Sequence, residues 1–497
     1  MKLALPPWAL PTAIEFVPFR DIENVRRGIC FEQEFEGSRQ RFGAGRSEPV
    51  YRCRRQNMKI IHVLGWYFPE SLGGTEVYVA GLGRRQQSAG HDVTVVAPDP
   101  ANSHERTYLH DELPVYRFPI PPNPTREECQ GVTIARGAER FHRWLEAQRP
   151  DVVHVHSYVT GVGMRELRAA KATGARVIVT NHLASLGFVC QRGTLMYRGQ
   201  SLCDGLASPA KCAACCLEER GVPVPLARMV AAMPGSISRL AGNIPGKLGT
   251  MFGMHDLIRR NLQTQHEQYA LVDKFVVLNQ WAFDALVANG APRQKLAINR
   301  LGVSYPVAPK PLPERKPTES PVKIGYLGRL VDIKGVFDLA RAIVSLPADV
   351  PLRVEFRGPL NSAESKATLD QLKQIVGNDP RVEFAPPANW SDVPAVLAGY
   401  DVLCCPSLCM EGGPTVAIEA HAVGTPVIGT QIGGMAEIIT DGVNGRLVAP
   451  GDWRALADVL HDIARNPAGT IDHWRTHLPP VRTMDEIAAD YLAMYQC

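Results

Sequence analysis

Glu411 and Glu419 stand eight positions apart in PSLCMEGGPTVAIEA (406–420), on either side of a Gly-Gly-Pro turn. An apolar run from Tyr400 to Pro406 feeds the turn, and the turn opens a helix that carries the second carboxylate. Glycine lets a backbone approach a ligand closely, and free N–H groups at a helix start receive phosphate oxygens. Carboxylates repel phosphate but accept hydrogen bonds from sugar hydroxyls. Two acids so separated could hold different ends of an extended nucleotide sugar, with the backbone of Gly412, Gly413, Pro414 and Thr415 lining its phosphates. The plainer reading is a surface turn followed by an exposed helical glutamate. A second basic group, Arg329 and Lys334 after Gly328, follows another apolar run. Positive charge there could bind a diphosphate and neutralise the charge that grows as the sugar–phosphate bond breaks. On its own it is equally a solvated basic loop. Gly73 and Gly74 precede a helical stretch, suiting close ligand approach or simply a turn. His154 and His156 alternate on one strand and so point to the same face, lining an acceptor side or filling a core or surface role.

Placing these groups requires two α/β units. Strands read at 59–64, 92–97, 151–155 and 176–180 with an amphipathic helix near 75–89, and again at 323–327, 352–357, 381–385, 401–405 and 426–429. Short apolar runs alternating with helical segments predict parallel sheets with crossover helices. Six prolines between 306 and 321 mark an interdomain linker. In such sheets ligands favour the crevice beyond the strands' carboxyl ends. Gly73 and Gly74 fall there in the first unit, and Arg329, Lys334 and Glu411 in the second.

The glutamate pair resembles the glutamate-x7-glutamate signature of retaining, family 4-like glycosyltransferases with the GT-B architecture. GYLGRLVDIKG (325–335) is similar to that family's phosphate-contacting segment, and residues 65–98 to its first strand, glycine loop and first helix. DVVHVHS (151–157) and VIVTNH (177–182) resemble later strands of its first domain. The resemblance covers residues 58–497, in the family's order. It implies two Rossmann-like, doubly wound parallel-sheet domains facing across a cleft: 58–305 for the acceptor, with a cysteine-rich insertion at 190–216, and 322–480 for the nucleotide sugar. The linker spans 306–321, and 481–497 would be a helix returning to the first domain. By the same resemblance Glu419 contacts the nucleotide ribose, Glu411 the transferred sugar, and His182 sits near donor sugar and acceptor. A lone histidine at a strand end is otherwise more often structural. The implied chemistry is front-face, phosphate-assisted substitution with retention and no protein nucleophile. Two departures stand out: Gly413-Pro414 replaces the family's frequent Phe-Gly, and Leu183 follows the histidine where an acidic residue is common. No Asp-x-Asp occurs, which argues against a metal-bound diphosphate and for Arg/Lys stabilisation, with no cofactor required for catalysis.

Cys190, Cys203, Cys212 and Cys215, spaced C-x12-C-x8-C-x2-C with Cys216 to spare, have the ligand count of a structural zinc site. An iron–sulfur site, disulfides or unbound thiols are the alternatives. Cys404 and Cys405 read as small core residues. The segment 221–262 mixes apolar and basic residues, admitting either a peripheral membrane contact or an ordinary insertion. The chain has 497 residues, 45% hydrophobic and 21% charged, with a net charge of +4. Residues 1–57 hold ten Lys/Arg against seven Asp/Glu, so the body is nearly neutral and gives no nucleic-acid signature. This extension reads as a disordered arm or as untranslated sequence before Met58. No apolar run reaches a bilayer's span and no secretory signal is convincing, so a cytoplasmic enzyme, or one at the inner face of the membrane, is expected. The expected partners are a nucleotide-sugar donor and a glycan or lipid-linked acceptor. A nucleotide-sugar epimerase and a non-catalytic nucleotide-sugar sensor would share the fold.

Overall fold

The computed structural model describes residues 57–303 and 321–496, apart from Leu72, Gln130, 183–189, 199–200 and 413–414. The expected extension (save Asn57), the linker (save Pro321), Leu183, and the donor-loop residues Gly413 and Pro414 therefore lie outside the described residues.

The first sheet contains β1 (Lys59–Val63), β2 (Asp92–Asp99), β3 (Arg106–His110), β4 (Leu113–Pro119), β5 (Val152–Val155) and β6 (Arg176–Asn181). A two-stranded hairpin, β7 (Met196–Tyr197) and β8 (Ser201–Leu202), stands apart in the insertion, and β9 (Lys274–Val277) and β10 (Leu296–Ile298) rejoin the sheet. The order is β10-β9-β6-β5-β1-β2-β4-β3, parallel except for the β3–β4 hairpin. Its strands are buried on both faces, as parallel strands under crossover helices must be. Ile61, Val63, Val153 and Val177 meet helices Ala138–Gln148 and Met164–Ala172 on one side. Ile60, Val152 and Ile178 meet helix Gly74–Ser88 on the other.

The second sheet contains β11 (Val322–Leu327), β12 (Leu352–Arg357), β13 (Val382–Ala385), β14 (Val402–Cys405), β15 (Val427–Thr430) and β16 (Gly445–Val448). All its pairings are parallel, in the order β13-β12-β11-β14-β15-β16. Cys404 and Cys405 are buried on its two faces. Both sheets are doubly wound Rossmann-like layers, and together they make the GT-B architecture. The chain reverses its direction of growth between β1 and β5 in one sheet and between β11 and β14 in the other. Those switch points are where such sheets open a crevice for ligands.

Pattern reading missed β3, β4, β7, β8, β9, β10 and β16, and for two of these the reason is physical. β10 has three residues, and β4 is the proline-flanked LPVYRFP, which breaks a clean alternation. Helix Met484–Gln496 crosses back and packs on Gly74–Ser88, burying Ile487, Tyr491 and Tyr495 in the first domain. Met410 and Ile432, from the second sheet's loops, pack into the first domain's core.

A charged contact joins the domains directly. Glu437 accepts the backbone N–H of Gln280 (3.0 Å) and Trp281 (2.9 Å) at the start of helix Gln280–Ala288, and pairs with Arg300 at 3.1 Å. Asn279 caps the same helix through Ala282 N–H at 2.7 Å. A carboxylate suits a helix N-terminus, where backbone donors lack partners and the dipole is positive. Replacing Glu437 with Ala is expected to cost about 1–2 kcal/mol. It should also speed hydrogen exchange at the amides of Gln280 and Trp281, measured by mass spectrometry.

Candidate active site

Arg329 and Lys334 lie on the loop that leaves β11. The Tyr326 hydroxyl donates to the Arg329 carbonyl at 2.6 Å and fixes the start of the loop, leaving the Arg329 side chain exposed. The Gly328 N–H donates to Arg357 O at 3.0 Å, holding the loop beside β12. A 3₁₀ turn, Asp332–Lys334, ends at Gly335, which has φ +70°. A Cβ there would sit 1.8 Å from the Pro406 carbonyl, so only glycine allows this loop to lie against the end of β14. Leu408 N–H donates to Ile333 O at 2.9 Å and stitches the two loops together.

That stitching brings Lys334 to Glu411. Lys334 Nζ is 2.6 Å from Glu411 Oε1, and Ser407 Oγ donates to the same oxygen at 2.5 Å. Burial opposes the Lys334 charge, but the neighbouring Glu411 carboxylate outweighs it and raises the lysine's pKa. The Glu411 carbonyl accepts from Gly434 N–H (3.0 Å) and from Asn279 Nδ2 of the first domain (3.3 Å). Glu411 therefore stands at the domain boundary. Glu419 follows on helix Thr415–Ala422, where burial pushes its carboxyl up to about 7. Gly412 and Thr415 flank the undescribed pair between them.

On the first domain, Gly73 caps helix Gly74–Ser88 in an extended conformation and Gly74 opens it with free space around its Cα. Glu76, buried in the first turn, accepts from the Ser71 hydroxyl. His182 follows β6 and is the outermost member of a buried chain of histidines. Its Nε2 is 3.3 Å from His156 Nδ1, His156 Nε2 is 3.0 Å from His62 Nδ1, and His62 Nε2 is 2.7 Å from Gln86 Oε1. The Gln86 amide donates its nitrogen to Tyr495 Oη at 3.3 Å, so its oxygen faces His62. An acceptor at that end requires the proton on His62 Nε2, then on His156 Nε2, then on His182 Nε2. A neutral His182 is thus left with an unprotonated Nδ1, able to accept a hydroxyl proton.

His154 lies on the same face, its ring centroid 3.9 Å from that of His156, and bonds Tyr495 Oη (2.6 Å) and Thr180 Oγ1 (2.7 Å). Ligand atoms of His62, His154 and His156 lie within 4.8 Å of one another. Both nitrogens of each ring already have protein partners, so the group works as a hydrogen-bonded chain rather than as a metal site. Sequence reading passed over His62, Gln86, Ser407 and Asn279. A histidine inside the apolar strand KIIHV, in register with His154, was the available signal.

The four insertion cysteines line one small cavity, but among the described residues no three of their sulfurs lie within 4.8 Å of one another. The larger recess, about 370 Å³ over β11–β13, is lined by residues such as Arg353, Glu355 and Tyr400 and does not include Lys334 or Glu411. Segment 221–262 folds into the short helices Val224–Ala231, Gly235–Ala241 and Gly246–Phe252, leading into Met254–Leu271.

Burial without an acidic partner holds His62 down to about 4, and lowers His154 and His156 well below the usual histidine range. These rings stay neutral when folded but charge in the unfolded chain near pH 6.5, so stability falls as pH drops from about 6.5 toward 4. Each ring contributes about 1.4 kcal/mol per pH unit in that window. Urea midpoints at pH 7.5 and 5.5 should differ markedly; a flat profile would mean that the folded rings are charged.

Similarity to known proteins coincides with this geometry. The glycosyl transferase 4-like domain family matches residues 73–213, and the glycosyl transferases group 1 family matches 312–475. The D-inositol 3-phosphate glycosyltransferase of Mycolicibacterium vanbaalenii is 36% identical over 183 residues, covering 34% of this chain and 40% of that protein. The amylovoran biosynthesis glycosyltransferase AmsK of Erwinia amylovora is 25% identical over 245 residues, covering 46% of this chain and 58% of that one. The matched stretches thus span less than two thirds of these relatives. In overall fold the chain is similar to sucrose-phosphate synthase from Thermosynechococcus elongatus, with a TM-score of 0.57 and 17% identity, covering 88% of this chain and 98% of that one. It is likewise similar to HepE of Anabaena solved with UDP-glucose, with a TM-score of 0.55 and 14% identity, covering 88% of this chain and 100% of the other.

Proposed function

Because the chain carries both domains of the family 4-like GT-B glycosyltransferases, we propose that it transfers a sugar, with retention, from a nucleotide-sugar donor to a glycan or lipid-linked acceptor. The observation that carries this reading is the Lys334–Glu411 pair at 2.6 Å, set beside Arg329 at the second sheet's switch point. A diphosphate entering there takes over Lys334 and adds Arg329, and sugar hydroxyls replace the lysine on Glu411. Glu419 receives the ribose hydroxyls. As the bond from the anomeric carbon to phosphate oxygen breaks, its electron pair passes to the diphosphate, whose charge Arg329 and Lys334 neutralise. The acceptor oxygen bonds to the same face of that carbon and its proton passes to the departing phosphate. His182 Nδ1 orients the reacting hydroxyls by accepting a hydrogen bond. The positive charge this step needs comes from side chains.

The acceptor side is supported by the helical insertion. Met229, Ile237, Leu240 and Leu248 are exposed by half or more of their surface. From Gly221 to Gly253 there are three basic residues, Arg228, Arg239 and Lys247, and no Asp or Glu. Arg228 and Arg239 reach the buried side chains of Glu218 and Asp256 at 3.8 and 3.7 Å, and an apolar surface bearing basic residues suits anionic lipid headgroups. Among the described residues no helix is long and apolar enough to cross a membrane, so such contact would be peripheral.

Thermal shift against UDP-, GDP- and ADP-sugars should single out one donor, since a ligand bound to the folded state raises its apparent stability. Lys334→Ala and Glu419→Ala should abolish that shift. With the donor in hand, the product's anomeric configuration tests retention, and interconversion of free nucleotide sugars without acceptor would instead establish an epimerase. Donor affinity should tighten as pH rises through about 7, where Glu419 ionises, and Glu419→Gln should flatten that dependence. Flotation with vesicles containing anionic lipid should carry the protein. Leu240→Glu with Leu248→Glu should leave it behind while keeping the donor shift.

A further inference from the structure

We infer that Cys190, Cys203, Cys212 and Cys215 bind one zinc ion as thiolates and clamp the β7–β8 hairpin to helix Pro209–Glu219. All four line a single cavity of about 30 Å³, together with Arg192 and Lys211. That space holds one ion. Arg198 N–H lies 2.9 Å from Cys215 Sγ. A divalent ion deprotonates the thiols that coordinate it. Gly205, two residues after Cys203, also lines the cavity and has φ +75°. Four thiolates around one divalent ion carry a net charge of −2; Lys211 and Arg192 line the same cavity, paired with Asp204 and Glu219.

The segment also needs such a clamp. The hairpin strands have two residues each, and a hairpin this short does not hold itself in water. Of its side chains, Leu195 and Met196 are the fully buried apolar ones. Cys216 lines the cavity as well, but also packs among Ala213, Leu217, Ala227 and Val230 in the apolar cluster of the neighbouring helices. Zinc–sulfur bonds of about 2.3 Å in a tetrahedron put the sulfurs about 3.8 Å apart. No three of these sulfurs lie within 4.8 Å of one another, so binding draws the hairpin toward the helix. Four cysteine ligands leave no open position on the metal, which makes it structural rather than part of the chemistry.

The full-length protein, purified without added metal or chelator, is analysed by inductively coupled plasma mass spectrometry. One zinc per chain is expected, released when a mercurial reagent titrates the thiols. Cys215→Ser and Cys203→Ser should lose the metal, whereas Cys216→Ser should keep it. Zinc retained in both ligand variants, no metal in the wild type, stoichiometric iron with visible charge-transfer absorption, or disulfides among these four found by peptide mapping would each overturn the assignment. The wild-type measurement decides the matter even where a variant fails to fold.

Discussion

The contact between Lys334 and Glu411 organises the second domain's working edge. A lysine on the loop after β11 and a glutamate on the loop after β14 meet at the place where the sheet's strand order reverses. Each loop depends on the other: Gly335 exists as glycine because the Pro406 carbonyl occupies its Cβ position, and Ile333 accepts the Leu408 amide. Opposite charges held in a partly buried pocket are matched to each other until something better matched arrives. A ligand with phosphate at one end and hydroxyls at the other satisfies both partners at once, which neither an anion nor a neutral sugar does alone.

The first domain solves a different problem, that of keeping histidines buried without charging them. Burial excludes the imidazolium form, and a continuous line of hydrogen bonds from Gln86 to His182 satisfies the neutral rings. A single amide orientation at the inner end dictates which nitrogen is bare at the outer end. Tyr495 holds that amide, so a side chain from the returning helix sets the protonation pattern at the domain boundary.

Much of this was legible in the sequence, for reasons that can be stated. Parallel strands buried on both faces read as short apolar runs, so KIIHV, VKIGYL and VLCC marked their positions, with glycines and charges following at their carboxyl ends. The GT-B fold expected from those motifs is the one observed. Residues whose roles depend on distant neighbours were not legible. Gln86 reads as an ordinary helical glutamine until β1 brings His62 beside it, and Glu437 reads as a surface acid until helix Gln280–Ala288 of the other domain meets it. The β3–β4 hairpin was missed because its prolines and arginines obscure the alternation, and β10 because three residues carry almost no pattern.

Helix Met484–Gln496 belongs to the first domain in space but is made after the second in time. Until it emerges, β1 and helix Gly74–Ser88 lack the side chains that seal them, and Tyr491 and Tyr495 are absent from Thr180 and His154. The packing of the earlier domain is therefore complete only once residues 484–496, made after the second domain, are in place. The same arrangement makes the halves poor modules for recombination: a chimera that exchanges the donor domain must leave this last segment with its original host.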